Sequence, residues 1–467
     1  MRLNLNRRSV LSGLIALPAC QGSGSKFDAQ VIIVGAGLAG LRAAQLLSAQ
    51  GKDVLVLEGG EHIGGRLKTY DYGALGRIEA SPDSIGASDK RLLALTREMG
   101  LALTSKDTTP PRTAYFYDGN IFSPDAWTAL DTGLFPPPFT GAGPTAPLLS
   151  LAAVANPLQI DTDWQDPRFA AYDISAQDFL LEAGFQGDAQ KLIGQAFDAN
   201  SLRNYSMMNL YRKLQLRSDA SAQTIKDGWQ SLPEAIAKTL PRKILTNQIV
   251  SHIAIEPDKA IITTASGKSF TAEHCLCALP FGALRNIAIK AFMPAAQSDA
   301  IRDMPQLQEF NIHVKTDTPF WDADSLPADM WTDLPLERVQ AVRDTNGTPT
   351  GLFNIIINGR NATRSLWDDR SQIEARLKAY LKTVRPASGG DFELLTVQDW
   401  TRNNPLMGGA ESYWSPGQIA KWAGEMGKPS PQLVFAGQDF SAAQIGLEGA
   451  LDSAETAVNY LLELSAN

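Results

Sequence analysis

The chain is poor in metal-ligating residues. It has four histidines and three cysteines in 467 residues, with no paired ligand spacing among them, which argues against a metal centre. Positive charge is also scarce. Lys and Arg number 42 against 50 Asp and Glu, for a net charge of −8, and a nucleic-acid binder would need clustered basic residues. No apolar run approaches the roughly 18 residues needed to cross a bilayer, and no internal repeat is visible. A composition of 44 % apolar and 20 % charged residues reads as a soluble globular protein, and the length allows two or three domains. Cys275 and Cys277, two residues apart in an apolar run, share one face of a strand and read as buried thiols rather than a bridge.

The most informative stretch is Asp28–Glu58. Val31-Ile32-Ile33-Val34 is a fully apolar run of the kind that forms a buried parallel strand. Gly35, Gly37 and Gly40 follow as G-x-G-x-x-G around Ala39: one glycine for the tight turn, one for backbone approach to a pyrophosphate, one for close packing of the next helix. Leu38–Gln50 has helical spacing, Gly51 ends it, and a second strand, Asp53–Leu57, finishes on Glu58. A carboxylate about twenty residues beyond the glycines is placed to accept from an adenosine ribose, with the pyrophosphate at the helix N-terminus. The expectation is an α/β protein with a Rossmann-type dinucleotide-binding domain.

Glu58–Thr69, with Gly64-Gly65-Arg66 at its centre, resembles the second fingerprint of the flavin monoamine oxidase family, and this resemblance implies FAD. Gly65 lets backbone approach the flavin side of the cofactor, and Arg66 can pair with phosphate as a fork. The likeness continues. Lys90–Gly100 matches the family's next helix, and Ser81-Pro82 departs from its glycine-containing turn. Asp227–Ala235 resembles G-G-x-x-x-L-P-x-A, and Val250 stands where the family's valine backbone meets adenine. Cys277–Leu284 matches A-L-P-x-G-x-L; Leu433–Asp439 resembles the third nucleotide motif through Gly437 and Asp439. Gly446–Ala454 matches the closing helix, whose N-terminus, at Leu447, would face the flavin carbonyl. The resemblance implies the amine oxidase fold, a Rossmann-type FAD domain interleaved with an α+β substrate domain. Its expected division is 27–85, 226–288 and 396–467 for FAD, and 86–225 and 289–395 for substrate, with a helical part over about 105–225.

Outside the motifs, helical patterning falls near 174–184, 187–197 and 206–216, and strand patterning over Ile244–Ile255, Ala260–Thr264, Pro305–Phe320 and Gly351–Gly359. Leu366–Val384 is amphipathic, with Ile373, Leu377 and Leu381 on one stripe. Tyr172, Phe179, Phe197, Tyr205 and Tyr211 are channel candidates for which core packing is the better reading. At the N-terminus, Asn6–Leu11 resembles a twin-arginine export signal and Leu17-Pro18-Ala19-Cys20 a lipobox, so residues 1–26 are expected to be signal and tether, with Cys20 the point of lipid anchoring in the bacterial envelope or periplasm.

By the resemblance, the protein oxidises an amine by hydride transfer from the carbon beside nitrogen to flavin N5. Imine release follows, then reoxidation by oxygen or another acceptor. Two positions depart from the pattern. The lysine that holds a water near N5 is replaced by Asn311 (Glu309 in a gapped alignment), and the two aromatic cage positions carry Glu411 and Gly446. Tyr413 and Trp414 remain as substrate-site candidates. Ala410 occupies the covalent flavin position, so FAD is expected to be held non-covalently. Three readings stay open: an amine oxidase with an unusual substrate, a flavin oxidoreductase acting on a non-amine such as a desaturase or reduced-nicotinamide oxidase, and an FAD-binding protein without turnover.

Overall fold

A computed structural model describes residues 27–80, 84–107, 109–130, 133–216, 222–364, 367 and 369–464. The export signal, lipobox and tether expected over 1–26, and the Ser81-Pro82 departure, lie outside these residues.

The central strand is Ala29–Val34, whose residues Val31 to Val34 are each at most 3 % exposed. It runs parallel to Val54–Leu57 on one side and to Ser269–Cys277 on the other, and both faces are covered. That is why it is apolar at consecutive rather than alternate positions. Across this seven-stranded sheet the order is 288–290, 250–256, 259–264, 269–277, 29–34, 54–57, with 433–435 also paired to 269–277. The long strand Ser269–Cys277 changes partners along its length. Its first half closes an antiparallel hairpin with Lys259–Thr264, and Cys275 to Cys277 then lie parallel to Leu433–Phe435. Both thiols are free and buried, and burial pushes them up, Cys277 to about 12.

The helix Leu38–Ala49 packs on this sheet against the closing helix Gly446–Leu464. A third helix, Lys90–Glu98, begins without a side-chain cap of its own. Glu448 of the closing helix supplies one, accepting from the backbone N–H groups of Arg91 (2.9 Å) and Leu92 (3.1 Å). A carboxylate at a helix N-terminus meets unpaired donors and the positive dipole end.

The second sheet also has seven strands, in the order 393–400, 309–315, 349–358, 338–343, 329–332, 113–117, 120–122. Phe310, Ile312 and Val314 face a core shared with Ile373, Leu377 and Leu381 of the helix Arg370–Val384, so the expected stripe is the buried one. By alternation, Glu309, Asn311 and His313 face the other way.

Four boundaries differ from expectation. Leu92, Leu95, Ile85 and Ile225 belong to the core beneath the first sheet, so the nucleotide unit extends past residue 85 and resumes before 226. The strand Ala288–Lys290 pairs with 250–256 and extends it past 288. Glu393–Trp400 pairs with Glu309–Lys315, so the return to the nucleotide unit comes after 400 rather than at 396. In each case local pattern marks an element, but only pairing assigns it to a sheet. The three expected helices of the middle region form over Ala176–Glu182, Asp188–Ala196 and Met207–Leu216. No helix among the described residues is long and apolar enough to cross a membrane.

Candidate active site

The parallel strands of the first sheet all end at one edge, and a cavity of about 360 Å³ runs along it. Gly35 follows the first strand, Glu58 the second, Ala278 the third and Gly437 the fourth, and all four line the cavity. This is where open α/β sheets hold ligands. Ala39, Gly65, Arg66, Asp439 and Leu447 also line it, so stretches nearly 400 residues apart converge as the motifs implied.

The residues present fit a dinucleotide. Gly37 begins the helix Leu38–Ala49 without a side-chain cap, which leaves the helix's first donors to the cavity. A Cβ on Gly37 would meet no protein atom within 4 Å, so the space above it is open for a pyrophosphate. Gly40 does the opposite and does not line the cavity. Its Cβ would fall 2.0 Å from the Gly35 carbonyl oxygen, so it serves packing. The Glu58 carboxylate accepts from the backbone of Ala36 (2.8 Å) and Gly60 (2.7 Å), which pins it at the cavity with acceptor capacity left for a ribose.

Two expectations change. The Arg66 fork does not stand free for phosphate. Its Nη1 donates to the Ala410 carbonyl (2.6 Å) and its Nη2 to Gln438 Oε1 (2.8 Å), so it ties the second fingerprint to the two segments that close the cavity. The Ala410 carbonyl is thereby satisfied where the chain turns past the cavity. Val250 lies buried at the start of its strand and is not among the lining residues. Asp439 is raised by burial, against the pull of the Ser412 hydroxyl and the Arg66 charge.

At one end the long cavity meets a second one of about 60 Å³. Glu411, Ser412, Gln438 and Asp439 line both. Tyr413, Trp414 and Gly446, the expected substrate residues, line the smaller cavity, with Trp164 packed on Trp414 at 5.4 Å between ring centroids. Glu411 pairs with Lys213 at 3.3 Å.

Asn311 does not take the catalytic place expected of it. It lines neither cavity, and its amide donates to Glu309 at 2.7 Å. Its register partner is Gln398. From this sheet the polar side chains that reach the long cavity are Gln398 and, just before the strand, Gln306. Glu309 itself is pushed up to about 7 by burial. Of the aromatic channel candidates, Phe197, Tyr205 and Tyr211 are core residues, and neither they nor Tyr172 and Phe179 line either cavity.

Residues that sequence reasoning missed include three on the helix Met207–Leu216 and Trp164 in the short turn Asp163–Gln165. Asn209, Arg212 and Lys213, at i, i+3 and i+4, present one polar face to the smaller cavity from a helix otherwise carrying Met207, Leu210 and Tyr211 into the core. That spacing is the signal that could have found them.

Comparison with known proteins agrees with this geometry. The family model of flavin containing amine oxidoreductase matches residues 38–462. Amine oxidase [flavin-containing] B of Mus musculus is 21 % identical over 455 residues, covering 92 % of this chain and 86 % of the relative. The L-amino acid oxidase of Cerastes cerastes is 22 % identical over 94 % of this chain and 88 % of its own length. Among solved structures, cyclohexylamine oxidase from Brevibacterium oxydans superposes with a TM-score of 0.73 at 23 % identity, over 94 % of this chain and all of that one. This chain therefore belongs to the family of flavin-containing amine oxidoreductases, and the long cavity at the strand ends has the lining that a dinucleotide such as FAD requires.

Proposed function

We propose that the protein is an FAD-dependent amine oxidase whose substrate sits in the smaller cavity. The observation that carries this is the junction of the two cavities through Glu411, Ser412, Gln438 and Asp439. A small molecule held there abuts the end of the dinucleotide site opposite Glu58.

FAD, when bound, supplies the two-electron acceptor. The protein's own groups do the rest. Trp164, Tyr413 and Trp414 wall the smaller cavity and exclude water from it. An amine gives up electrons only when its nitrogen is neutral, and Glu411, on the same cavity, is the carboxylate placed to take the ammonium proton. Lys213 pairs with the Glu411 carboxylate at 3.3 Å and holds it at the cavity wall. Oxidation removes a hydrogen with its bonding electron pair from carbon and a proton from nitrogen, leaving an imine that water converts to a carbonyl compound and ammonia. The substitution of Glu411 and Gly446 at the two cage positions makes the approach to the ring polar and open on this side. The supporting comparisons span amines and amino acids in the names of the relatives, and so leave the substrate class to the site itself.

The test is anaerobic mixing of the purified holoprotein with a panel of amines and amino acids, followed by the visible absorption of oxidised flavin. Bleaching by at least one amine is expected. Bleaching by a reduced nicotinamide alone would overturn the reading in favour of a non-amine oxidoreductase, and resistance to every donor would leave a binding protein. We also propose export of the folded holoprotein through the Arg7-Arg8 signal with a lipid anchor at Cys20, supported by the sequence pattern alone. Cys20→Ser should then move the protein from the membrane fraction to the soluble envelope fraction, and an unchanged distribution would dismiss the anchor.

A further inference from the structure

Arg212 is a cation the amine oxidase mechanism does not use. It is 6 % exposed and lies over the Trp164 ring, with its guanidinium carbon 3.8 Å from the ring centroid. Its Nη2 makes only two long contacts, to the carbonyl oxygens of Ala442 (3.5 Å) and Gln444 (3.3 Å). Its Nε is enclosed without an acceptor. No carboxylate lies within ion-pair distance of it among the described residues; Asp161 acts on it from farther away. Burial pulls the group down to about 9, which leaves it charged at neutral pH. A buried guanidinium with unmatched donors is costly unless something anionic completes it.

What would complete it is constrained on two sides. Arg212 and Lys213 line the smaller cavity together with Glu411 and Asp439, and Lys213 pairs with Glu411, so cations and acids face one shared space in which Arg212 has no ion-pair partner among the described residues. The cavity is small. A diamine would bring a second positive charge toward Arg212 and Lys213 instead of a negative one.

Resting on the amine oxidase reading above, we propose that the substrate is a small amino acid, its carboxylate received by Arg212 and its nitrogen turned toward Glu411 and Asp439. The redox step is the one already described; the inference concerns recognition. Guanidinium is suited to the role because its planar fork matches a carboxylate with two parallel hydrogen bonds, and the indole beneath holds that plane in place.

The experiment uses holoenzyme in two arms. In the first, flavin reduction is followed anaerobically with glycine and alanine, and with their decarboxylated counterparts methylamine and ethylamine. Half-saturation by the better amino acid is expected at a concentration at least 10-fold below that of its counterpart, and equal or better reduction by the plain amine overturns the proposal. In the second, acetate, which cannot be oxidised here, is titrated by calorimetry into wild type, Arg212→Met and Arg212→Lys. Acetate should bind wild type, bind Arg212→Lys about 10-fold more weakly for want of the fork, and not bind Arg212→Met. Equal binding to wild type and Arg212→Met overturns the proposal, as does no binding to wild type. Should Arg212→Met fail to fold, the lysine variant decides on the same criterion. If no donor of any kind reduces the flavin, the amine oxidase reading falls by itself, and the acetate arm still judges the anion subsite.

Discussion

Gly37→Ala separates cofactor capture from folding. Gly37 has φ −71° and ψ 177°, a conformation open to any L-residue, and an added methyl would have no protein atom within 4 Å. The apoprotein should therefore keep its stability, or gain about 0.4–1 kcal/mol because alanine has fewer unfolded conformations to lose. The methyl enters the space over the first turn of the helix Leu38–Ala49, where the pyrophosphate takes its hydrogen bonds. Crowding a fitted group by one methyl costs about 1–3 kcal/mol, which is a loss of about 5- to 150-fold in FAD affinity. Gly40→Ala supplies the contrast. Its Cβ falls 2.0 Å from the Gly35 oxygen and 3.2 Å from the Ala278 Cβ, so the turn must shift and folding suffers together with binding. The assay is FAD titration of apoprotein by flavin fluorescence, beside thermal unfolding of the apo forms. If Gly37→Ala bound FAD as tightly as wild type, the pyrophosphate could not lie at this helix.

Four other outcomes are expected. Glu337 is 1 % exposed, and burial raises its carboxyl to about 7 against hydrogen bonds from the Asn358 backbone and the Asn361 amide. An acid raised above its ordinary 4.5 loses folding free energy as pH climbs from about 4.5 to about 7, so Glu337→Gln should flatten the fall in melting temperature over that window; an unchanged slope would contradict the assignment. His313, pulled down to about 4 by burial, works with the opposite sign: it costs stability as pH drops from 6.5 toward 4, and His313→Gln should relieve that acid-side loss. With Ala410 at the covalent flavin position, acid or heat precipitation should leave all the flavin in the supernatant, and yellow precipitate would argue for a bond. A thiol reagent should leave Cys275 and Cys277 unmodified in the native protein and label both after denaturation, since burial keeps both thiols protonated.

The cofactor site was legible in sequence because the chemistry of a dinucleotide is read by local patterns. A strand, a glycine turn and a helix in thirty residues make a complete binding unit, and Gly35, Gly37 and Glu58 line the cavity where that unit predicts. The departures at Glu411 and Gly446 were visible too, since they interrupt motifs of known spacing. Asn311 was misjudged for a physical reason. A strand position says which face a side chain takes, but whether that face meets a cavity depends on the neighbouring strand, and here Gln398 and Gln306 reach it instead. Arg212 was legible only as part of a polar helix face, and its burial over Trp164 was invisible because nothing local marks a cation stacked on a ring 48 residues away in sequence.

By itself, then, the amino-acid order determined the nucleotide fold, the cofactor class and the places where the substrate end breaks from its relatives, since each depends on contacts within one short segment. Which strands share a sheet, where one domain yields to the other, and that Arg212, Glu411 and Asp439 face a single small cavity were decided only in the tertiary structure. Those facts depend on burial and on charges brought together from distant segments, and burial belongs to the packed molecule rather than to any residue.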